Sequence, residues 1–308
     1  MIIDVHAHLF NEDLPNRRYW EGYVKFAAAV ANTPEERIWN RIRDTWDLSG
    51  ELIINDMNEA GIDKSVILVC DFGLCPEIGE GKYSIEEQNR LYVDVAAKYP
   101  NRLIPFFGID PRRPRAHKLF EHAVKEWGMK GLKLLPPTGF YPNDKEVYPL
   151  YAKAEELGVP VLIHTGPETI PLYAKYGQPI LLDEVCNYFP DLKIVAAHGA
   201  YCWNEELIDL MSNKPNLYMD LAAWQTRTRR RKDLDFYKKL RHILNVVGAR
   251  RVLFGSDWPP TRLYMKQKDW VDVFKNIPEY VRKAGIEFKA EEVGLILGGA
   301  AAKVLGLE

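Results

Sequence analysis

Several features that would decide this chain's class at once are missing from it. Its four cysteines, Cys70, Cys75, Cys186 and Cys202, form no CxxC pair, which excludes a zinc knot and argues for reduced thiols over a disulfide framework. Neither sign of charge prevails. Lys and Arg number 41 against 43 Asp and Glu, a formal net charge of -2, so no global field recruits nucleic acid or a membrane surface. No apolar run reaches membrane-spanning length, and the first strand-like run starts at residue 2, leaving no room for a signal peptide. A cytoplasmic protein acting on a small molecule is the expectation. No GxGxxG turn follows that first run, which weakens the case for a doubly wound, dinucleotide-binding sheet.

What the chain does have is one unit repeated. With 308 residues, 47% of them hydrophobic, it can bury a large core. After the opening run, apolar β-rich stretches recur at 65–70, 103–109, 130–135, 159–164, 192–198, 216–221 and 251–256, eight in all. Between them lie stretches such as 84–99, 146–157 and 234–247, with apolar residues at three- and four-residue spacing. Alternation of this kind predicts an α/β fold, a (β/α)8 TIM barrel forming one domain over 1–308, with an open doubly wound sheet as the alternative. Two departures stand out. Residues 11–49, ahead of a helix expected over 50–60, carry Tyr19, Trp20, Trp39 and Trp46, and are expected to cover the barrel mouth and line it with their tryptophans and arginines. Residues 289–305 predict an extra C-terminal helix with the glycines of "GGAAAKVLG" at close packing points.

The chemistry starts in "MIIDVHAHLF". In a regular strand Asp4, His6 and His8 would share one face, with Ile3, Val5 and Ala7 on the other. Other polar residues fall at strand ends: His164 in "VPVLIHTG", His198 in "LKIVAAHGA" and Asp257 in "RVLFGSDWP". In a barrel these ends converge on the face where active sites of the fold lie. A single histidine there is ordinarily a hydrogen-bonded structural residue; several imidazoles with one carboxylate in one frame match the donor set of a catalytic divalent ion. Spacing does not separate ligand from base among the histidines.

These motifs, with "GLKLLPPTGFYPNDKEVYPLYAKAEELGVPVLIHTG" and "FPDLKIVAAHGAYCWNEELIDLMSNKPNLYMDL", resemble the amidohydrolase superfamily, in the branch that contains aminocarboxymuconate semialdehyde decarboxylase and related TIM-barrel hydrolases and decarboxylases. The likeness runs from residue 1 to about residue 260, with no counterpart for 11–49. It implies that His6, His8 and His164 bind a metal with Asp257 as a further ligand, and that His198 is the acid/base. Should His198 prove dispensable for turnover, Asp257 is the other candidate base. One divalent ion is expected, zinc ahead of manganese. Binuclear members use a carboxylated lysine from the fourth strand, where this chain has Lys133; pairing of Lys133 with Asp110 is the plainer alternative. Asp220 either orients a ligand histidine or caps the next helix, Asp4 is a buried partner below the metal, and His117, His122 and His242 are helix-surface residues. Arg37, Arg41 and Arg43, with the arginines of "RTRRRKD" from Arg227, favour an anionic substrate. The expected activity is a metal-dependent hydrolase of a small carboxylate-bearing molecule. The alternatives are a non-oxidative decarboxylase using the same site and a non-catalytic metal-binding barrel. A homodimer is left open.

Overall fold

Each of the eight apolar runs contains a strand, because each is bounded by turns and rich in residues that pack on a pleated surface. In the computed structural model, which describes residues 1–226 and 234–307, these are β1 (Ile3–Ala7), β2 (Lys64–Leu68), β3 (Leu103–Gly108), β4 (Leu132–Leu134), β5 (Val161–Ile163), β6 (Ile194–Ala196), β7 (Leu217–Asp220) and β8 (Val252–Leu253). All are parallel and pair in sequence order. The backbone around and beyond β8 returns to β1: Val5 N–H donates to the Phe254 carbonyl at 3.0 Å, Asp257 N–H to that of His6 at 2.8 Å and His8 N–H to that of Trp258 at 2.7 Å. The sheet therefore closes on itself as the predicted (β/α)8 barrel. No described helix is long and apolar enough to cross a membrane.

Strand alternation sorts the apolar residues into two layers. Val66, Leu68, Ile104, Phe106, Leu162, Val195 and Leu253 fill the barrel interior, while Ile67, Phe107, Leu132, Leu134, Ile163 and Met219 face the surrounding helices. In β1 the expectation of one face for Asp4, His6 and His8 fails. Asp4 pairs with Ser65 and Ala7 with Ile67, so β1 spends three residues where β2 spends two. This bulge reverses the facing. Ile3 and Val5 lie with the interior cluster, Asp4 turns outward to Ser256 and Gln267, and His6 and His8 turn inward at the mouth.

Residues 11–49 form α1 (Arg17–Ala31) and α2 (Glu35–Arg43), ahead of α3 (Glu51–Ala60). Asn16 caps α1 by accepting from Tyr19 N–H at 3.2 Å. These helices bury Phe10, Tyr19, Trp20, Tyr23, Ile38 and Ile42 with Phe72, Leu135 and Leu172 in an apolar cluster of their own. The expected lining differs in detail. Tyr19, Tyr23, Phe26 and Val30, one helical stripe, face the cavity, whereas Trp39 and Trp46 pack behind the stripe. Arg37, Arg41 and Arg43 are exposed and none of them lines the cavity, Arg41 donating to the Leu263 carbonyl and Arg43 lying over the Trp39 ring. Arg227, Arg229, Arg230 and Arg231 lie outside the described residues.

The C-terminal segment is helical in three pieces: Ala290–Gly294, a wider π turn over Leu295–Gly299, and Ala300–Leu305. Gly298 is a close packing point, since an added Cβ would stand 2.2 Å from the Met1 carbonyl oxygen; Gly306, with nothing near it, instead ends the helix at φ +65°. The cysteines are free thiols, Cys202 exposed and the others buried.

Gly108 at the end of β3 has a neighbour that cannot yield, for a Cβ there would meet the Val69 carbonyl oxygen at 2.0 Å. Gly108→Ala should destabilise the barrel by about 2 kcal/mol or more, because backbone rather than a flexible side chain must move. Urea unfolding at matched metal content measures this, and an unchanged midpoint would contradict the packing described.

Candidate metal centre

Five of the polar strand-end residues meet at the barrel mouth, although 251 positions of sequence separate the first, His6, from the last, Asp257. His6, His8, His164, His198 and Asp257 all line one cavity of about 450 Å³. The nitrogen donors of His6 and His8 and an oxygen of Asp257 lie within 4.8 Å of one another, with Asp257 Oδ1 3.6 Å from His6 Nε2 and 3.5 Å from His8 Nε2. His164 and His198 stand beside this group, joined by a 3.2 Å contact from His164 Nδ1 to His198 Nε2.

Hydrogen bonds on the far side of each ring decide which nitrogen faces the cavity. His6 Nδ1–H donates to Asp220 Oδ2 at 2.9 Å and His8 Nδ1–H to the Leu68 carbonyl at 2.8 Å, so both present Nε2. His198 Nδ1–H donates to the Ala222 carbonyl at 3.2 Å, which makes its Nε2 the acceptor for His164 Nδ1–H and leaves His164 Nε2 with its lone pair. The Nε2 atoms of His6 and His164 are buried and have no hydrogen-bond partner. Orphaned buried imidazole nitrogens beside a carboxylate are what a divalent cation would satisfy, so the donor set fits a metal.

Electrostatics agree with this reading. Burial first, then the neighbouring Lys133 charge, pushes His6 down to about 3 despite the opposing pull of Asp220, and burial with His198 and Lys133 holds His164 well below its usual range. Both stay neutral, as ligands must. Burial alone would raise the Asp257 carboxyl, but His8, His198 and His6 hold it well below the usual carboxylate range. Burial likewise opposes charge on His8, yet Cys70 and Asp257 raise it to about 9. The Asp257 carboxylate 3.5 Å from His8 Nε2 is part of what favours a proton there, and a divalent ion held by the same two groups would displace it.

Asp220 is buried and does more than either role expected of it. Besides orienting His6, its Oδ1 accepts from His198 N–H at 2.8 Å and from Ala222 N–H at 2.9 Å; it caps no helix. It thereby holds a turn in which His198, Gly199, Ala200 and Tyr201 all have left-handed φ, between +49° and +58°. Trp224 Nε1–H donates to the His198 carbonyl at 2.7 Å, Asn204 Nδ2 donates to that of Gly199 at 2.9 Å, and the Tyr201 ring stacks on His198. Asp257 is a second site residue at positive φ, +57°. Such conformations cost about 1 kcal/mol or more per residue and persist only where surroundings over-determine them.

Asp4 braces the ligand strand from outside, accepting from His6 N–H, Ser256 N–H and Oγ–H, and Gln267 Nε2. Lys133, whose facing the strand pattern left open, points into the cavity; Asp110, its expected partner, is engaged by Arg112 at 2.6 Å. His122 is exposed against Trp127, His242 pairs with Glu205, and His117 lies on its helix away from the site. Sequence reading placed Tyr19 over the mouth but missed Glu168, which lines the cavity with an oxygen 3.4 Å from His164 Nε2, and the ring walls formed by Tyr23, Phe72 and Tyr201. Glu168 was legible as a polar residue in the loop after β5. The α1 stripe was legible in the 19, 23, 26, 30 spacing.

A family model described as amidohydrolase matches residues 3–307. The chain belongs to the amidohydrolase family. Among curated relatives, this amidohydrolase is 21% identical over 344 aligned positions to a 2-amino-3-carboxymuconate-6-semialdehyde decarboxylase of Dictyostelium discoideum, covering 99% of this chain and 92% of that one. It is 24% identical to a 2-keto-4-carboxy-3-hexenedioate hydratase of a Sphingobium species, covering 83% of each. Among solved structures it is similar in fold to a 5-carboxyvanillate decarboxylase of Novosphingobium aromaticivorans, complexed with manganese and 4-hydroxy-3-methoxy-5-nitrobenzoic acid; the TM-score is 0.72, the identity 18%, and 99% of this chain and 96% of that chain are covered.

Asp220→Ala strips the acceptor from three buried N–H groups at once. Stability measured in chelator, without any metal contribution, should fall by about 3 kcal/mol or more. A loss under about 1 kcal/mol, the size of one ordinary hydrogen bond, would mean that Asp220 does not hold the turn.

Proposed function

We propose that the protein is a metal-dependent decarboxylase that removes carbon dioxide, without oxidation, from a small aromatic or similarly unsaturated carboxylate. One observation carries this: the His6, His8 and Asp257 donors stand at the wall of a ring-lined cavity of about 450 Å³ that also holds a lysine, a chamber suited to a flat anion. His6, His8, His164 and Asp257 are assigned as the residues that hold the ion. When bound, the ion supplies Lewis-acid polarisation and charge neutralisation at a substrate oxygen. Nitrogen and oxygen donors of this kind suit zinc and manganese alike; a decarboxylase of the same fold is described with manganese, so manganese replaces zinc as the first ion to test.

The protein's own groups divide the work. The bond between the substrate carbon and its carboxylate breaks, carbon dioxide leaves, and the electron pair left on that carbon takes one proton. His198 is the assigned carrier of that proton: it takes one from solvent at Nε2, giving up the hydrogen bond it accepts from His164, passes it to the carbon and is left neutral; it is 4% exposed, opens on the cavity, and is fixed by Ala222, Asp220 and the Tyr201 ring. Tyr19, Tyr23 and Phe72 keep water from the ring and offer it apolar faces. Hydrolysis, the first expectation from the sequence, gives way to decarboxylation, because the relatives named for decarboxylases match along nearly the whole chain. The hydratase relative supports addition of water to a carbon–carbon double bond as the second reading.

The deciding experiment incubates manganese-loaded protein with dihydroxybenzoates, carboxyvanillate, muconate-like acids and small lactones, following carbon dioxide and acid release separately. Release of carbon dioxide is expected; acid release from lactones alone would return the protein to the hydrolases. His6→Ala, His8→Ala and Asp257→Ala should each lose bound metal while the far-ultraviolet spectrum stays unchanged, and full metal retention in all three would sink the ligand assignment. His198→Ala should keep near-normal metal but lose about two to four orders of magnitude in turnover, the usual contribution of a positioned proton-transfer group. Metal lost together with activity would make His198 a ligand.

A further inference from the structure

Lys133 is a cation for which the described protein supplies no partner. It sits on β4 at 2% exposure, and its stem rises from an apolar layer, in register with Leu162, which is in register with Val195. Its head opens on the cavity that His6 and His164 also line, where it is the one Lys or Arg among the described lining residues. The acids nearby on the sheet are already matched. Arg112 holds Asp110 by two contacts, at 2.6 and 2.9 Å, and Arg113 holds Asp71 at 2.8 Å. Among the described residues no carboxylate lies within ion-pair distance of Lys133.

A buried ammonium without a counter-charge is costly, and an ion beside it raises that cost further. The deficit is removed if an anion arrives with the substrate. We infer that Lys133, unmodified, is the anion anchor of the cavity, pairing with a carboxylate of the bound substrate and selecting charged molecules over uncharged ones of the same shape. The inference rests on the decarboxylase reading only for the anion's being a carboxylate. Selection follows because a neutral ligand would leave the ammonium desolvated and unpaired, the same penalty that lets buried polar groups reject analogues lacking their partner. It is also consistent with the absence of the α2 arginines from the cavity wall: the charge that meets the substrate is inside the barrel, on a strand, where its position is fixed by the sheet.

Calorimetry tests this with benzoate and 2,6-dihydroxybenzoate against their uncharged counterparts benzamide and resorcinol, on metal-free and manganese-loaded protein. The unaltered protein should prefer the carboxylates. Lys133→Met, which keeps the volume and removes the charge, should lose about ten- to a hundred-fold of that preference in both metal states, the size of one charge-assisted hydrogen bond, while Lys133→Arg keeps part of it. Manganese stoichiometry should be the same in all three, and the intact mass of the unaltered protein should carry no carbon dioxide adduct. An unchanged preference in Lys133→Met overturns the inference, as does a carboxylated Lys133 with two ions per chain, which would make it a metal ligand. Carbon dioxide release by the unaltered protein with no carboxylate preference to lose removes the anchor and leaves the decarboxylase reading standing. A preference abolished by Lys133→Met in a protein that decarboxylates none of the acids keeps the anchor and removes the reading.

Discussion

The seam where β1 meets the segment around and beyond β8 carries both the fold and the chemistry. Closing a barrel requires the last strand to pair with the first, and here the closing hydrogen bonds run through His6, His8 and Asp257 themselves. The donors are therefore not placed on a finished scaffold; their backbones are the scaffold's last ladder. The bulge in β1 is the other half of this arrangement. Without the extra residue, Asp4 and His6 would both face the helices, and the interior would receive Ala7 in place of a ligand. Asp4, displaced outward by the bulge, then clamps Ser256 and Gln267 from behind, so one irregularity positions the histidines and locks the strand that delivers Asp257.

A second constraint radiates from Asp220. One carboxylate at the end of β7 orients His6 and holds the backbone of the left-handed turn after β6, which couples a proposed ligand to the proposed proton donor through a single side chain. The strain in that turn is local and opposed on three sides, by Asp220, Trp224 and Asn204. Its product is a His198 ring pinned between Tyr201 and the His164 nitrogen, with little rotameric freedom to lose when chemistry begins.

The insertion gives this centre its room. α1 and α2 build an apolar cluster apart from the barrel's own, and the face of α1 left over supplies Tyr19, Tyr23, Phe26 and Val30 to the cavity wall. Large aromatic side chains bury about 150–250 Å² each, so a lid of this composition can hold itself in place while presenting ring faces to a substrate. Charge and shape are thus handled by different elements: the strands contribute the donors and Lys133, and the inserted helices contribute the apolar enclosure.

Much of this was written in local pattern. Strand and helix periods are short-range properties, so eight apolar runs with polar ends foretold the barrel and named His6, His8, His164, His198 and Asp257 as residues that meet. What stayed hidden depends on relations between distant segments. Which face of β1 the histidines take hinges on a bulge set by pairing with β2; whether Asp220 serves a histidine or a helix hinges on its distance from β1; whether Lys133 has an acid partner hinges on Arg112 reaching Asp110 first. The arginines of α2 looked like substrate contacts because sequence places them near the mouth but cannot say which side of a helix faces it until the apolar stripe has chosen its neighbours. The sequence alone determined the barrel and its ring of donors; facing, partnering and enclosure were decided only by tertiary structure, since those are properties of contacts between segments and not of any segment by itself.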